Sequence, residues 1–216
     1  MQRYHSIEEL PQTLAVFPLA GALLLPRGHL PLNIFEPRYL AMVDAALSTS
    51  RLIGMIQPVE LEERVLKPKL SAVGCAGRIV SYRETEDGRF LVTLLGVCRF
   101  RVGEELMTLT PYRQLRPDYS PYLGDMAAPP PENFPRERLA AALRDYLSRR
   151  DLKADWGSVM SAPADVLVNA LAMLCPFQPS EKQALLEAPS WPERIDTLVA
   201  LLEMAGEPET GGPSLN

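Results

Sequence analysis

Two histidines, three cysteines and one cluster of carboxylates are the side chains from which a conventional catalytic or metal site would first be assembled in this 216-residue chain. Nucleophilic catalysis needs a Ser, Cys or Thr beside a base that a third group orients. His5 lies near the N-terminus and His29 in a proline-flanked stretch, so His29 is the imidazole that could serve Cys75 or Cys98. The competing reading is structural. Cys75, Cys98 and Cys175 are odd in number, far apart and without a Cys-x-x-Cys pair, as small buried hydrophobes of a reducing compartment would be. Glu60, Glu62 and Glu63 sit in one stretch with Arg64, Lys67 and Lys69, the pattern of a solvated, salt-bridged loop rather than a cation site. Neither Gly-x-x-x-x-Gly-Lys nor Gly-x-Gly-x-x-Gly occurs, so nucleotide binding by those routes is not expected. The expectation is a chain without catalytic residues, metal or cofactor.

Recognition chemistry is better represented. Asn33-Ile34-Phe35-Glu36-Pro37-Arg38-Tyr39 brings an aromatic ring, a carboxylate, a guanidinium and a phenol to one helix start. Aromatic and arginine side chains are the usual anchors of protein-binding surfaces. Phe35, Glu36, Arg38 and Tyr39 are therefore candidate contacts, against the alternative that Glu36 caps the helix, Arg38 pairs with a carboxylate and Tyr39 is core. Arg99 and Arg101 join the candidates, because two residues apart on a strand they share a face.

Composition narrows the partners. The chain is 47% hydrophobic and 23% charged, ample for a core, with a net charge of −5. Residues 1–118 carry 14 Lys/Arg against 13 Asp/Glu, and residues 119–216 carry 8 against 14. A phosphate-binding protein needs a basic face that neither part has, so nucleic acid is a poor partner. No apolar run approaches the ~20 residues of a membrane span, and MQRYHSIEELPQ has no basic start leading into an apolar stretch. A soluble, unexported, cytoplasmic protein is expected.

The elements that must position these residues are marked by proline. None occurs between Pro68 and Pro111, and a proline-free, β-branched segment is where central strands form. Within it, LSAVGCAGRIVSY and RFLVTLLGVCRFRV flank an Asp87-Gly88 turn and predict a long hairpin. Gly74, Gly77 and Gly96 predict bulges or bends. TLAVFPL, ALLLP and LPLNIF read as short edge or irregular strands, and LIGMIQP as another. Pro37 followed by Tyr39, Leu40, Val43 and Leu47 predicts a helix over about 37–49.

Pro111 to Pro135 reads as a loop-rich connection, after which the period becomes helical. Leu139, Leu143, Tyr146 and Leu147 mark one helix; Val166, Leu167, Ala170, Leu171 and Leu174 mark a second. Ser180 with Gln183 has capping-box spacing before a third. Pro192, with Ile195, Leu198, Val199 and Leu202, opens a fourth. The expected fold is α+β: a β-rich unit over 1–118, a Pro-rich linker over 119–134, a small helical bundle over 135–205 and a flexible tail over 206–216.

Phe-Pro-Leu at 17–19, Pro-Leu-x-Ile-Phe-Glu-Pro-Arg-Tyr at 31–39 and Val-Gly-x-x-Gly-Arg-Ile at 73–79 resemble the N-terminal (LON) domain of the ATP-dependent Lon proteases. The likeness continues through PSEKQALLE and ERIDTLVALLE and covers roughly residues 12–205. It implies a curled, PUA-like mixed β-barrel followed by the bundle, and recognition of protein substrates or partners. No ATPase or protease module of the kind that follows this domain in the protease is expected, and Gly211-Gly212-Pro213-Ser214 is only superficially like a Gly-Pro-Ser nucleophile motif. The expectation is a stand-alone LON-domain protein that binds unfolded or extended polypeptide, in the cleft between sheet and bundle or along an exposed strand edge. Alternatives are an RNA-binding PUA-like module, or an adaptor or regulator of the full-length Lon protease. Self-association is left open.

Overall fold

A computed structural model describes residues 4–59, 67–127 and 134–204. β1 (Leu14–Pro18), β2 (His29–Ile34), β3 (Leu52–Ile56), β4 (Val73–Glu84), β5 (Phe90–Glu105) and β6 (Arg113–Asp118) form one sheet in the order β2-β5-β4-β3-β1-β6. Only β1 and β3 run parallel; the other pairings are antiparallel. The long β5 pairs with β2 through residues 90–95 and with β6 through residues 101–105. Pairing therefore passes through β5, β4, β3, β1 and β6 and returns to β5, with β2 as an outlying edge strand. Glu60, Glu62, Glu63, Arg64, Pro129 to Pro131 and the tail containing Ser214 lie outside the described residues.

Two hydrophobic clusters lie on opposite faces of this sheet. Leu14, Val16, Leu52, Ile56, Cys98, Phe100 and Leu115 pack inside the curl. Phe17, Ile53, Met55, Leu94 and the helices share the larger cluster outside it. β3 contributes to both, since successive residues face opposite sides, which is why LIGMI is apolar throughout and fully buried. Burying a side chain the size of Phe100 is worth roughly 1.5–3 kcal/mol. A Cβ on Gly74 would stand 2.5 Å from the Phe100 ring, and one on Gly54 3.0 Å from it. Gly74, expected to bend the strand, instead leaves room for that ring. The bend falls at Gly77 and Gly96, paired where the register shifts.

Three strand expectations change. ALLLP forms no strand; Leu23, Leu24 and Leu25 are buried in a segment bracketed by the left-handed residues Gly21 (φ 73°) and Arg27 (φ 67°). β1 is not an edge, because it lies between β3 and β6, with Pro18 at its end. β6 arises within the stretch read as loop, with Pro117 paired to Val102 beside a register shift. A 3-10 segment, Ser120–Met126, follows and packs on β5.

α1 (Pro37–Leu47) begins at Pro37 as expected and buries Tyr39, Met42, Val43 and Ala46. The remaining helices are α2 (Arg136–Arg149), α3 (Trp156–Ser161), α4 (Ala164–Leu174), α5 (Pro179–Glu187) and α6 (Trp191–Met204). α3 was not foreseen; Asp155 caps it by accepting from the Gly157 and Ser158 amides. α4 is rotated from its expected face: Val166 and Leu174 are exposed, while Leu167, Val168 and Ala172 are buried. The start of α5 is fixed not by Ser180 and Gln183 but two residues earlier, where the Gln178 amide donates to Glu181 Oε2 at 2.7 Å. α6 buries Ile195, Leu198, Val199 and Leu202, the expected face.

Candidate functional site

A cleft of about 490 Å³ opens where the end of β3 and the start of β4 meet the N-terminal half of α5. Its apolar wall is Pro58, Val59, Ala72 and Pro179. Val59 and Ala72 are exposed, although β-branched and small apolar groups at the ends of buried strands would ordinarily be covered.

Amide side chains hold the floor. Gln57, 3% exposed, accepts from the Gly21 amide through Oε1 at 3.1 Å. Its Nε2 donates to the Pro179 carbonyl at 2.9 Å and to Gln183 Oε1 at 3.2 Å. Gln183 Nε2 in turn donates to the Val73 carbonyl at 3.1 Å and to Glu187 Oε1 at 2.6 Å. Each such bond nets about 0.5–1.5 kcal/mol, and breaking one strands a buried polar group at about 1–3 kcal/mol. The two glutamines therefore fix α5 against the sheet, and the cleft is preformed. Among the described residues, Glu187 is the single charged one of its lining.

A second set of polar contacts locks the same helices from beneath. Arg99 is 6% exposed and bidentate on Asp125, with Nε to Oδ2 and Nη2 to Oδ1 both at 2.9 Å. Its Nη1 donates to the Leu186 and Ala188 carbonyls at 3.0 and 2.8 Å, satisfying the open C-terminal end of α5. Tyr122 lies on the guanidinium, 4.5 Å from ring centroid to Cζ. Arg194 is also buried and donates through Nε to the Leu185 carbonyl at 3.0 Å. Burial, with Arg99 nearby, pushes Arg194 down to about 10, and Asp125 opposes that fall.

Arg99 is therefore not a surface contact. It shares a strand face with Arg101, as expected, but the Ser120–Met126 segment and α5 cover its end of that face. Arg101 stays exposed and reaches Asp118 at 3.8 Å. Tyr39 is likewise removed from the candidate surface: it is 6% exposed, with its ring centroid 4.2 Å from that of Phe17. Arg38 pairs with Glu36 at 2.8 Å and lies over the Tyr39 ring at 4.5 Å. Glu36 occupies the helix N-cap without a side-chain capping bond. Phe35 is 62% exposed between buried Ile34 and the Glu36–Arg38 pair, at the end of edge strand β2.

The cysteines are placed as core residues. Burial pushes the Cys75 thiol well up and the Cys98 thiol up to about 12, with Asp125 adding to both. Cys98 Sγ contacts the Arg99 and Tyr122 carbonyls and Cys75 Sγ the Ala76 carbonyl. His29 is exposed on β2. Among the described residues no group of three His, Cys, Asp or Glu could hold a metal ion. No described helix is long and apolar enough to cross a membrane.

The cleft residues Gln57, Val59, Gln183 and Glu187 were not singled out from sequence. The available signal was faint: Gln57 follows five apolar strand residues directly, an unusual place for an amide that has no fixed partner.

Residues 13–204 match the ATP-dependent protease La (LON) substrate-binding domain. Among curated relatives, Lon protease 2 of Myxococcus xanthus is 30% identical over 112 residues, covering 51% of this chain and 13% of that protein. Lon protease 2 of Thermus thermophilus is 25% identical over 204 residues, covering 90% of this chain and 24% of that protein. The chain thus spans less than a quarter of the length of these two relatives. Among solved structures, a Lon N-terminal domain protein from Xanthomonas campestris superposes with a TM-score of 0.59 at 24% identity, covering 87% of this chain and 97% of the other. The N-terminal domain of the Mycobacterium avium complex Lon protease gives 0.57 at 17% identity, covering 88% and 97%. With the match extending over nearly all of the sheet and all six helices, the chain belongs to the LON substrate-binding domain family.

Proposed function

We propose that this chain is a non-catalytic polypeptide-binding module that receives extended segments in the cleft between β3, β4 and α5. One observation carries the reading: a preformed concavity of about 490 Å³ whose wall is apolar, whose floor amides are already mutually bonded, and whose one charge among the described residues is Glu187. An apolar wall takes side chains of a non-native or extended chain. A lone carboxylate disfavours phosphate, which sets the site against RNA. We also read the pairing circuit through β5, β4, β3, β1 and β6 as the curled, PUA-like barrel of the family.

Phe35 supports a second contact. It is exposed at the end of a strand whose outer edge has no strand partner among the described residues, and extended chains add to such edges by backbone pairing. Glu36 and Arg38 flank it, and Arg101 lies apart on β5.

Titration of the purified protein with a permanently unfolded, labelled model polypeptide, read by fluorescence anisotropy, tests the reading. Saturable binding that Val59→Asp weakens is expected. No binding at high micromolar concentration sinks it.

A further inference from the structure

Glu187 lines more than this cleft. On the other side of that residue a second depression of about 460 Å³ lies at the corner between α5 and α6. The ionisable residues lining it are Glu187, Glu193 and Asp196, all exposed. Only Asp196 among them has a cationic partner in the described residues, Arg138 at 2.6 Å. Glu187 accepts from the Gln183 amide alone, and the only bonds that Glu193 makes run through its backbone, to Ser190 and Thr197. Arg138 is taken up by Asp196, and two further basic groups near this corner point elsewhere. Arg194 is buried and turned to the Leu185 carbonyl, and Lys182 is buried with Nζ on the Gly21 carbonyl at 2.8 Å. An apolar concavity and an acidic one thus share the Glu187 carboxylate.

Resting on the polypeptide-binding reading, we infer that this groove selects extended segments in which an apolar residue lies beside lysine or arginine. The apolar side chain occupies the wall of Val59 and Pro179, and the cation reaches past the helix to Glu187 and Glu193. Charge complementarity determines the occupant: an acidic segment would meet two uncompensated carboxylates, and a neutral one would leave them solvated. Exposed ion pairs are individually weak and screened by salt. Each is therefore expected to change affinity by about 1.5- to 5-fold, and the effect is one of selection among apolar segments.

Three 12-residue labelled peptides with the same apolar centre and flanks of Lys/Arg, Ser or Glu test this at 20 mM and 300 mM salt. Expected is the order basic, neutral, acidic, with roughly tenfold between the extremes at low salt. That ratio should shrink at high salt and fall near one in the Glu187→Gln/Glu193→Gln variant. Equal binding of all three overturns the selectivity and leaves the polypeptide reading intact. Binding by none overturns both. Selectivity that persists in the double variant assigns it to another surface and overturns the groove.

Discussion

Replacing Asp125 by Asn should be the most damaging conservative change in the molecule. The carboxylate receives two guanidinium bonds and the backbone amide of Arg99, the last at 3.0 Å, and both side chains are over 90% buried. The same charge offsets part of the burial cost of Arg194. Removing one partner of a buried pair costs about 3–5 kcal/mol, because the other is left desolvated without compensation. For a domain of this size that is a fall in Tm of roughly 6–20 °C. Arg99→Met should cost less than Asp125→Asn, because Arg194 still faces the remaining carboxylate. The double variant Arg99→Met/Asp125→Asn should be more stable than Asp125→Asn alone, since the stranded cation is gone. Asp196→Asn is the exposed control, since its pair with Arg138 is more than half exposed on both sides, and should cost no more than about 1 kcal/mol. Urea unfolding with a common m-value supplies the comparison. If Asp125→Asn cost under about 1 kcal/mol, or the double variant were the weakest of the three, the ion pair would not be the tie described above.

Gly96→Ala places a Cβ 2.0 Å from the Leu25 carbonyl oxygen, a backbone atom that cannot swing aside, so a loss of at least about 1–3 kcal/mol is expected. Gly124→Ala, with no atom within 4 Å of its Cβ, should change the melting temperature little. The buried thiols set a pH limit: raised folded values mean stability is full below the ordinary thiol value of ~8.5 and is lost as pH rises through it toward about 11 for Cys175 and about 12 for Cys98. Denaturation series from pH 8 to pH 11 check that slope, and rapid alkylation of native protein at pH 8 would contradict it. Phe35→Ala should leave the unfolding midpoint unchanged and weaken binding of unfolded polypeptide, and the reverse outcome would make Phe35 a packing residue.

What could be read in advance was whatever local chemistry dictates. Pro37 placed α1, Asp87-Gly88 placed the β4–β5 turn with Gly88 at φ 76°, and the apolar period of α6 gave its buried face. What could not be read depended on partners distant in sequence. Leu23 to Leu25 look like a strand because burial demands the same residues from a wedge as from a sheet. Arg99 looks like a surface residue until Asp125, Leu186 and Ala188 are brought to it from as far as 89 positions away. β6 was hidden because Pro111 and Pro117 imply loop, yet Pro111 precedes the strand and Pro117 pairs with Val102 beside a register shift. The cleft was invisible for a related reason: it is made by the junction of two units, and Gln57 and Gln183, 126 positions apart, carry no sign that they face each other.

The segment from Leu19 to Gly28 explains why that junction can be rigid. It leaves β1, crosses between sheet and helices, and returns as β2, burying three leucines on the way. Its backbone is claimed from both sides. The Gly21 amide donates to Gln57 and the Gly21 carbonyl accepts from Lys182, while the Pro26 carbonyl accepts from Asn169 at 2.8 Å. Arg27 donates backbone N–H to Gly96 and side-chain N–H to Asp125 O, and pairs with Asp165 at 3.3 Å. Burial pushes Lys182 down from its usual range. A connection with no regular structure of its own thus supplies polar partners to β3, β5, α4 and α5 together. Sheet and helices then move as one body, and the groove at α5 keeps its shape before any polypeptide enters it. Pre-organisation of that kind lowers the ordering cost of binding, which a module made to receive unstructured chains most needs, since the incoming segment already loses its own conformational freedom.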